Sequence, residues 1–414
     1  MVKRRQLATM LGGSILVVIG CAACGSGVIG SAHAPTKNSK SAERVVASSV
    51  SAVAASALNV VYKVPSTDAA VADGVISAET IETVSGSPSS QTAQFGSLTQ
   101  AQTLRSPTYG ETPVSGFVGY STASGTSSIW VTKAGGFAEV ASVPADGPLA
   151  SASISNEIYL ASAAGQPLSV ETYGTTGGLL SSDPVPSAPP PTSTQLSQVP
   201  AEKGIGGGST IGAIAPLSSG GPLVAVDNGF NSLVVNLSTG AKANLAGYSS
   251  VLSLAVGPDG SVYVAALDGR GSTSPLDVVE LSSSLAQVAS VSTGLEVSNG
   301  LLNAQLTWAG SQLALYAPTT GAPPVAVPNE AATSSGIASN LFSISGDPLN
   351  VTAVTLPANL GLYLNSDGAG NVYLYGGPAE NVVSEVPLQS ASPAVSQTYD
   401  VGPTGSFAIA LIPS

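Results

Sequence analysis

Acidic side chains in glycine-rich turns are the residues of this chain that could do chemistry. The candidates are four that stand directly before Gly or Asn-Gly in strand-flanking turns, namely Asp227, Asp259, Asp268 and Asp367. Such carboxylates could hold Ca²⁺, or act as the paired acids of a glycoside hydrolase if two of them stood a few ångströms apart. None lies in the spaced acidic pattern of a dedicated calcium loop, and turn Asp more commonly binds its own backbone. We therefore predict no catalytic residue, no metal site and no cofactor here.

Histidine and cysteine chemistry is confined to the N-terminal region. The single histidine is His33, which lies among small polar residues, and the two cysteines are Cys21 and Cys24. A Ser-His hydrolase, a cysteine nucleophile or a Cys/His zinc site would need these residue types within the folded part. Any catalysis by the folded part would therefore depend on Asp and Glu.

Two aromatic residues and one glycine-rich stretch are further candidates. Trp130 and Trp308 lie inside strand-like runs, and we predict that both pack between sheets, since burial is the commoner use of an indole. The stretch 204–208 has the composition of a phosphate-binding loop. It follows a Pro-rich segment rather than a strand, and Pro216 stands where a helix would be required, so we interpret it as a linker.

Charge restricts the possible partners. The 414 residues include 12 Lys and Arg against 24 Asp and Glu, a formal net charge of −12, and no basic residue follows Arg270. Such a chain cannot neutralise a row of phosphates, which excludes a nucleic-acid partner. At low pH the carboxylates become neutral and little positive charge remains to drive unfolding. The composition fits an acid-tolerant surface protein and a neutral-pH secreted protein rich in Ser and Thr equally well.

Residues 1–24 are typical of an export signal. A basic segment at 3–5 precedes an apolar run at 7–20 and a small-residue stretch that contains both cysteines. The apolar run is too short to span a membrane comfortably, and the order of the three parts favours cleavage. An ordinary secretory signal or an uncleaved anchor is the alternative to the lipoprotein signal considered next.

Val18-Ile19-Gly20-Cys21 resembles the lipobox of bacterial lipoproteins, whose signal peptidase cuts before an acylated cysteine. The resemblance implies that residues 1–20 are removed and that Cys21 becomes a lipid-bearing, palmitate-carrying N-terminus. The stretch 22–27 also resembles the end of actinobacterial lipoprotein signals, so Cys24 is the alternative attachment site. A Cys21–Cys24 disulfide is incompatible with lipidation of either thiol. The resemblance thus implies a lipid-anchored protein on the extracytoplasmic side of the cell membrane.

The rest of the chain divides into a tether and one large domain. Residues 21–57 are predicted to form a flexible tether, because Gly, Ser, Ala, Lys and Asn cannot bury enough apolar surface; within it, 42–57 fits a short helix or a strand. Residues 58–414 contain no cysteine, so packing and backbone hydrogen bonds must stabilise them. A Pro/Gly-rich insertion near 181–209 is predicted to be a surface loop with no fixed fold, or else a boundary between two domains.

Short β-type runs between turn residues fill residues 58–414, which predicts an all-β fold. Representative runs lie at 128–132, 157–161, 222–226, 262–265, 312–316 and 372–375. Two stretches, 254–264 and 362–374, are copies of one unit: an apolar strand, an Asp-Gly turn and a second apolar strand with Tyr at its middle. Each copy is followed by two further strand-like runs, which makes the four antiparallel strands of one propeller blade.

The Asp-Gly turn followed by apolar-Tyr-apolar resembles the repeats of NHL-type and related bacterial β-propellers. The resemblance covers about 90 residues in two pieces, and it implies an architecture rather than a catalytic residue. Taken as the second strands of successive units, the six runs are about 49 residues apart on average, which fits six or seven blades of four strands. A β-sandwich or a β-helix is the alternative all-β reading.

These observations predict a non-catalytic binding module on a membrane-anchored lipoprotein, with loops of a propeller contacting a protein or a cell-envelope ligand. One alternative is a propeller hydrolase or lyase that uses carboxylates, with or without calcium, on a glycan or lactone. Another is a structural or adhesive surface protein. Convergence of several carboxylates in one cavity would favour the enzyme, whereas scattered acids would favour binding.

Overall fold

The computed structural model describes most of the chain beyond residue 56. The described residues are 57–64, 75–82, 88–95, 98–133, 136–145, 147, 149–161, 167–197, 208–269, 274–296, 301–320, 336–345, 348–376, 381–404 and 406–413. The predicted signal, the lipidation sites Cys21 and Cys24, His33 and residues 204–207 lie outside this part, and so does the tether up to residue 56. None of the helices among these residues is long and apolar enough to cross a membrane.

The described residues form seven four-stranded antiparallel sheets. Blade 1 contains β1 (Ala57–Val64), β2 (Val75–Glu82), β3 (Pro88–Gln94) and the last strand, β30 (Phe407–Pro413). Blade 2 contains β4 (Gln100–Thr103), β5 (Gly116–Ser121), β6 (Thr126–Lys133) and β7 (Gly136–Pro144). Blade 3 contains β8 (Ser151–Ile154), β9 (Glu157–Ala161), β10 (Ser169–Gly174) and β11 (Leu179–Pro184). Blade 4 contains β12 (Thr210–Pro216), β13 (Pro222–Asp227), β14 (Ser232–Asn236) and β15 (Lys242–Leu245).

The remaining blades follow the same order. Blade 5 contains β16 (Tyr248–Val256), β17 (Val262–Asp268), β18 (Pro275–Leu281) and β19 (Gln287–Glu296). Blade 6 contains β20 (Gln305–Ala309), β21 (Gln312–Tyr316), β24 (Leu341–Ser345) and β25 (Asn350–Val354), with the short pair β22 (Thr319–Thr320) and β23 (Ile337–Ala338) inserted between its second and third strands. Blade 7 contains β26 (Tyr363–Ser366), β27 (Asn371–Tyr375), β28 (Val382–Pro387) and β29 (Gln397–Asp400). One short helix, α1 (Ser193–Ser197), lies between blades 3 and 4.

The sheets close into a ring, which confirms the predicted β-propeller and gives it seven blades. The innermost strand of blade 1 is β30, which pairs antiparallel with β1 from Leu58↔Pro413 to Lys63↔Phe407. It contacts the innermost strands on both sides, β26 and β4, and β12, β16 and β20 likewise each contact two inner strands. Radial repetition of this kind rules out the sandwich and the β-helix.

The core lies between neighbouring blades, because both faces of each inner sheet are covered. Strand β17 is buried from Val262 to Leu267, and β13 from Pro222 to Val226. Continuous apolar runs are the pattern expected of strands packed on two sides, whereas the outermost strand β19 alternates between exposed and half-buried residues. Most buried apolar side chains of the inner strands therefore pack between neighbouring blades.

The two copied units are confirmed as the first and second strands of blades 5 and 7, and the runs that follow each copy are the third and fourth strands. Their Asp-Gly turns place Gly260 at φ 78° and Gly368 at φ 71°, in the left-handed region that glycine tolerates. Five of the six representative runs are second strands, as predicted. The run at 128–132 is the third strand of its blade, and the prediction is wrong there.

Glycines explain why the second strand of blade 2 was missed. Strand β5 contains Gly116 and Gly119, which weaken a strand pattern. A Cβ at Gly116 would lie 2.2 Å from the carbonyl oxygen of Trp130, and one at Gly119 would lie 2.4 Å from Leu98 Cδ1. The close packing of the blade thus requires residues that hide the strand in the sequence.

Part of the segment near 181–209 is more ordered than predicted. Residues 181–184 complete β11, and Val185 and Ala188 are buried in the core between blades 3 and 4. The side-chain amide of Asn228 donates to the carbonyl of Pro189 at 2.8 Å. The side-chain amide of Gln195 in α1 donates to Asn231 Oδ1 at 3.0 Å. The prediction of a loop with no fixed fold is therefore wrong for its described first half, because two apolar side chains and two Asn residues anchor it.

The up-and-down order of strands gives the ring two distinct faces. We call the hairpin face the one that bears the turns between first and second strands and between third and fourth strands. We call the connector face the one that bears the turns between second and third strands and the connections between blades. Loops at these faces, rather than the buried strands, are where a propeller contacts ligands.

Candidate functional site

The four candidate aspartates do not gather round one cavity. Asp227 and Asp268 end β13 and β17, the second strands of blades 4 and 5, and therefore lie at the connector face. Asp259 and Asp367 lie in the turns between first and second strands of blades 5 and 7, at the hairpin face. In the described part of the chain, no three His, Cys, Asp or Glu residues come close enough to hold a metal ion. The acids are therefore scattered over opposite faces.

The hairpin-face aspartates are occupied by their own turns. Asp259 Oδ1 accepts hydrogen bonds from the amide of Ser261 at 3.1 Å and from its hydroxyl at 2.6 Å. Asp367 accepts from the amides of Ala369 and Asn371, at 2.8 and 3.2 Å, and from the side chain of Asn371 at 2.8 Å. Both carboxylates thus stabilise the turns that glycine makes possible.

Asp227 has a different environment, between blades 4 and 5. Its Oδ2 accepts a hydrogen bond from Ser250 at 3.1 Å. Burial raises the pKa of Asp227 from 3.8 to about 6, although hydrogen bonds from Ser250, Val251, Gly229 and Thr210 act to lower it. This carboxyl therefore titrates near neutral pH while it joins two blades.

A half-open cleft lies at the hairpin face, between blades 5 and 6. It has a volume of about 470 Å³, and its lining combines aromatic rings with carboxylate, amide and hydroxyl groups: Tyr263, Trp308, Asp259, Gln312, Gln389 and Ser345. Such a lining, a few polar groups on an apolar wall, is typical of a ligand site.

Trp308 is held rigidly at the wall of this cleft. Its indole Nε1 donates to the carbonyl of Val256 at 2.9 Å. Its ring makes edge contacts with Tyr109, at a centroid distance of 5.0 Å, and with Tyr263, at 6.0 Å. The prediction that Trp308 packs between blades holds in part, since the half-buried ring also lines the cleft.

The polar wall of the cleft is also ordered by hydrogen bonds. Gln389 of blade 7 reaches blade 6, where its amide donates to the carbonyl of Ala309 at 3.3 Å and to Ser311 Oγ at 3.4 Å. The amide of Gln312 donates to the hydroxyl of Ser343. Both glutamines line the cleft, and a carboxamide can both donate and accept hydrogen bonds.

Trp130 packs as predicted. Its ring lies 4.8 Å from that of Phe95 in an edge contact and 6.2 Å from that of Phe117 in a stacked one. Phe137 completes the cluster between blades 1 and 2. Trp130 lies far from the cleft around the propeller and does not line it.

The hairpin-face end of the central channel is crossed by the long loop 104–115, which joins β4 to β5. Along the loop, the carbonyl of Arg105 accepts from the amide of Ser153 in blade 3, at 2.9 Å. Thr108 then donates its hydroxyl to Pro216 of blade 4 and bridges to Val256 of blade 5. Tyr109 finally reaches Trp308 in blade 6. The loop therefore contacts the ends of four successive inner strands beyond its own blade.

Arg105 brings a cationic side chain into this interior. Its guanidinium donates no hydrogen bond to any described residue, and its Nη1 atom is closed off from solvent. Burial lowers the pKa of Arg105, while the nearby Tyr375 phenol acts in the opposite direction. Burial also raises the pKa of Tyr375 to about 12, although the hydrogen bond with Thr103 and the charge of Arg105 act to lower it.

Sequence reasoning missed Arg105, Gln312, Gln389 and Tyr109. Two signals were available for Arg105: it is one of 12 cations in 414 residues, and it is followed by Ser-Pro in a stretch without strand alternation. The other three residues carry no signal in the sequence, because blades far apart along the chain bring them to the cleft.

The lining of the cleft differs from that of a site built on paired acids. The cleft offers two aromatic rings, hydroxyl groups and carboxamides, with a single carboxylate in its lining. Two carboxyl groups at the short separation that glycoside hydrolysis requires do not occur among the four candidate aspartates, which lie on opposite faces. By the criterion set from the sequence, this arrangement favours binding.

Comparison with known proteins agrees with the fold. No protein-family model and no curated protein matches the sequence. Among solved structures, a candidate 6-phosphogluconolactonase of Bacteroides fragilis is similar with a TM-score of 0.51 and 12% identity, over 86% of this chain and 96% of that chain. A protein of Lactobacillus plantarum has a TM-score of 0.49 and 13% identity, over 86% and 99%. The periplasmic gluconolactonase PpgL of Pseudomonas aeruginosa has a TM-score of 0.47 and 13% identity, over 86% and 98%. At these identities the likeness concerns the fold alone.

Proposed function

We propose that this protein is a lipid-anchored β-propeller on the extracytoplasmic side of the cell membrane, and that it binds a cell-envelope ligand without transforming it. The observation that carries the proposal is the distribution of acids: the four candidate aspartates are divided between opposite faces, while the cleft at the hairpin face has a lining suited to recognition. Fold alone would not support a function, so the proposal depends on this site.

The cleft favours a neutral, hydroxyl-rich ligand such as a saccharide. The rings of Trp308 and Tyr263 offer apolar surfaces, and Gln312, Gln389 and Ser345 offer hydrogen-bonding groups beside them. A saccharide has apolar C–H faces that could pack on the rings and hydroxyl groups that could bond to the polar side chains. A strongly anionic ligand is disfavoured, because Asp259 belongs to the lining and the whole chain has a net charge of −12.

Tryptophan fluorescence provides a direct test, because the chain contains only two tryptophans. In a Trp130→Phe variant Trp308 is the sole indole, and titration with chitotetraose or maltotetraose should change its emission. A matched Trp308→Phe variant keeps Trp130 and should show no change and at least about tenfold weaker binding by calorimetry. An emission change in Trp308→Phe but not in Trp130→Phe would place the ligand elsewhere, and absence of binding by any envelope saccharide would contradict the cleft assignment.

The anchor is tested separately, in cells. The lipobox resemblance of residues 18–21 supports acylation of Cys21, with Cys24 as the alternative. Labelling with palmitate should mark the wild-type protein and the Cys24→Ala variant but not Cys21→Ala, which should leave the membrane fraction. Label retained by Cys21→Ala and lost by Cys24→Ala would move the site to Cys24. Label retained by the double variant would contradict the anchor.

Hydrolysis of a lactone is the second candidate, because the Bacteroides fragilis neighbour bears the name of a lactonase. Glucono-δ-lactone is a suitable probe, and acid release can be followed at constant pH. We expect a rate no higher than that of buffer alone. A rate above that of buffer, together with its loss on substitution of a cleft or channel residue, would replace the binding proposal with an enzymatic one. Self-assembly in light scattering would instead favour the structural alternative.

A further inference from the structure

A half-buried arginine whose Nη1 atom has no hydrogen-bonding partner among the described residues lies in the loop that crosses the central channel. Within the described residues the Arg105 guanidinium has no hydrogen-bonding partner and no carboxylate partner, and Nη1 is shielded from solvent. Arginine stays protonated in proteins, so this group carries its charge. A guanidinium nitrogen that is shielded from water and makes no hydrogen bond costs free energy, and proteins rarely leave such a group unpaired. A negatively charged acceptor would supply the bond that no described residue makes to this atom.

Two further hydroxyl groups with no partner among the described residues lie next along the loop and in the strand that the loop contacts. The hydroxyl of Ser106, next along the loop, is also buried without a partner, and so is that of Ser151 in β8. Strand β8 is the one whose Ser153 amide binds the Arg105 carbonyl at 2.9 Å. Hydroxyl groups donate well to anions. Both hydroxyl groups are therefore donors that no described residue uses.

The side of the channel opposite blade 3 contributes a further hydroxyl. Tyr375 of blade 7 is 2% exposed, and its hydroxyl lies 3.1 Å from Thr103 Oγ1. Thr103 Oγ1 in turn accepts from the amide of Leu411 in β30 at 2.9 Å, which fixes both groups. A phenol can both donate and accept, and one bond does not exhaust this capacity. The Tyr375 hydroxyl is thus held against Thr103, two residues before Arg105, and its phenol is close enough to act on the Arg105 charge.

The charge and enclosure of the site select the class of ligand. A guanidinium binds a carboxylate through two parallel hydrogen bonds. One cation balances one negative charge, whereas a phosphate or sulfate dianion would leave one charge uncompensated. The loop 104–115 crosses the hairpin-face end of the channel. A monocarboxylate satisfies these conditions.

We propose that Arg105 anchors a binding site for a small monocarboxylate inside the channel, with the Tyr375 hydroxyl as a second contact. The site is separate from the cleft at Trp308 and does not depend on the function proposed for it. The carboxylate of the ligand would take the place that an Asp or Glu side chain has in an ordinary ion pair with arginine. Its binding ties the loop of blade 2 to blade 7.

Calorimetry and thermal unfolding of the full-length protein in detergent test the site, with sodium acetate and sodium lactate as probes. Both should bind with one-to-one stoichiometry and raise the unfolding midpoint, and sodium sulfate and inorganic phosphate should not. Arg105→Met should weaken acetate binding by at least about tenfold, Arg105→Lys by less, and Tyr375→Phe by about threefold. Lys133→Met removes an exposed cation from the same blade and should leave acetate binding unchanged.

The outcomes separate the possible explanations. Absence of carboxylate binding by the wild-type protein would overturn the site, as would equal binding by Arg105→Met. Tighter binding of phosphate than of acetate would overturn the monocarboxylate class. If Arg105→Met does not fold, Arg105→Lys and Tyr375→Phe decide: weakened binding by both supports the site, and unchanged binding by both overturns it.

Discussion

At the scale of single residues, Asp227 shows how burial sets chemistry. A turn aspartate in water titrates near 4, but this one lies between two blades, where burial raises its pKa to about 6. The hydrogen bond from Ser250, at 3.1 Å, offsets only part of the cost of desolvation. Asp367, which stands directly before Gly368, binds the backbone of its own turn at the hairpin face. The same residue type thus has two roles, which burial decides.

The pH dependence of stability follows from this shift. Between pH 4 and pH 6 the folded protein holds a proton on Asp227 that the unfolded chain releases, so the free energy of unfolding falls as the pH rises through this window. A shift from 3.8 to about 6 corresponds to about 3 kcal/mol. Urea unfolding at several pH values should show this fall in the wild-type protein and a smaller one in Asp227→Asn. Exposed Asp400→Asn is the matched control and should keep the full fall; equal slopes in all three proteins would contradict the prediction.

At the scale of elements, the propeller depends on inner strands that approach one another closely. Strand β12 has an irregular register between Ile211 and Ala213, and Gly212 stands between them. A Cβ there would lie 2.3 Å from the carbonyl oxygen of Val251 on the next inner strand, β16. Backbone cannot move aside as a flexible side chain can. Glycine at this position therefore sets the distance between blades 4 and 5.

Gly212→Ala should destabilise the protein by about 2 kcal/mol, because the added methyl group forces two inner strands apart. Gly178→Ala is the matched control: it changes the same atom in the turn after β10, where a Cβ would meet nothing within 4 Å. Its effect should be about 0.5 kcal/mol or less. Chemical denaturation measures both, and equal losses would show that close approach of the strands is not the cause.

The loop 104–115 is the element that sequence reasoning could least foresee. It contains no strand of its own, yet its backbone joins the ladders of distant blades, as in the 2.8 Å bond from the Tyr109 amide to the Val256 carbonyl. Two residues of the loop relate to the candidate sites. Arg105 lies near Tyr375 at the channel, and Tyr109 packs against Trp308 in the cleft wall. One connection between two strands therefore contributes to both candidate sites.

At the scale of the whole molecule, the ring is closed by noncovalent contacts between its two ends. Strand β30 completes blade 1, and Leu411 within it is fully buried against Leu58 and Val60 of β1 and Tyr373 of blade 7. The bond between the Leu411 amide and Thr103 joins residues 308 positions apart. Since the domain contains no cysteine, such contacts alone keep the ring shut.

Leu411→Ala should therefore cost about 3 kcal/mol, because it leaves a cavity where the ring closes. Phe407→Ala on the same strand is the control: it removes a larger side chain, but one that is 36% exposed, and it should cost about 1 kcal/mol or less. Urea unfolding followed by tryptophan fluorescence and by circular dichroism measures both. A larger loss for Phe407→Ala than for Leu411→Ala would mean that closure contributes little to stability.

The acid balance of the molecule agrees with the behaviour of its buried carboxyls. Glu79 of β2 is buried and accepts from the amide of Gly402 at 2.7 Å, and burial raises its pKa as it does that of Asp227. Both groups make the folded state relatively more stable as the pH falls. With 12 cations in the whole chain, little positive charge opposes them. Acid tolerance therefore stays a prediction that the pH series above also tests.

The sequence by itself determined the features that depend on near neighbours. Alternating and continuous apolar runs predict strands, and an Asp-Gly pair predicts a tight turn because glycine alone adopts a positive φ without strain; the hairpins at Gly260 and Gly368 follow from this. Repetition of the unit then predicted a propeller. Export and lipidation at Cys21 are likewise read from local order and stay predictions.

Only the tertiary structure decided which residues meet. That β30 closes blade 1, that Gln389 of blade 7 lines a cleft of blade 6, and that the loop after β4 carries Arg105 into the channel all depend on contacts between distant parts of the chain. No local pattern encodes them, because the burial of a side chain is a property of the packed ring. The candidate sites are therefore a product of ring closure, while the strands that build the ring are a product of the sequence nearby.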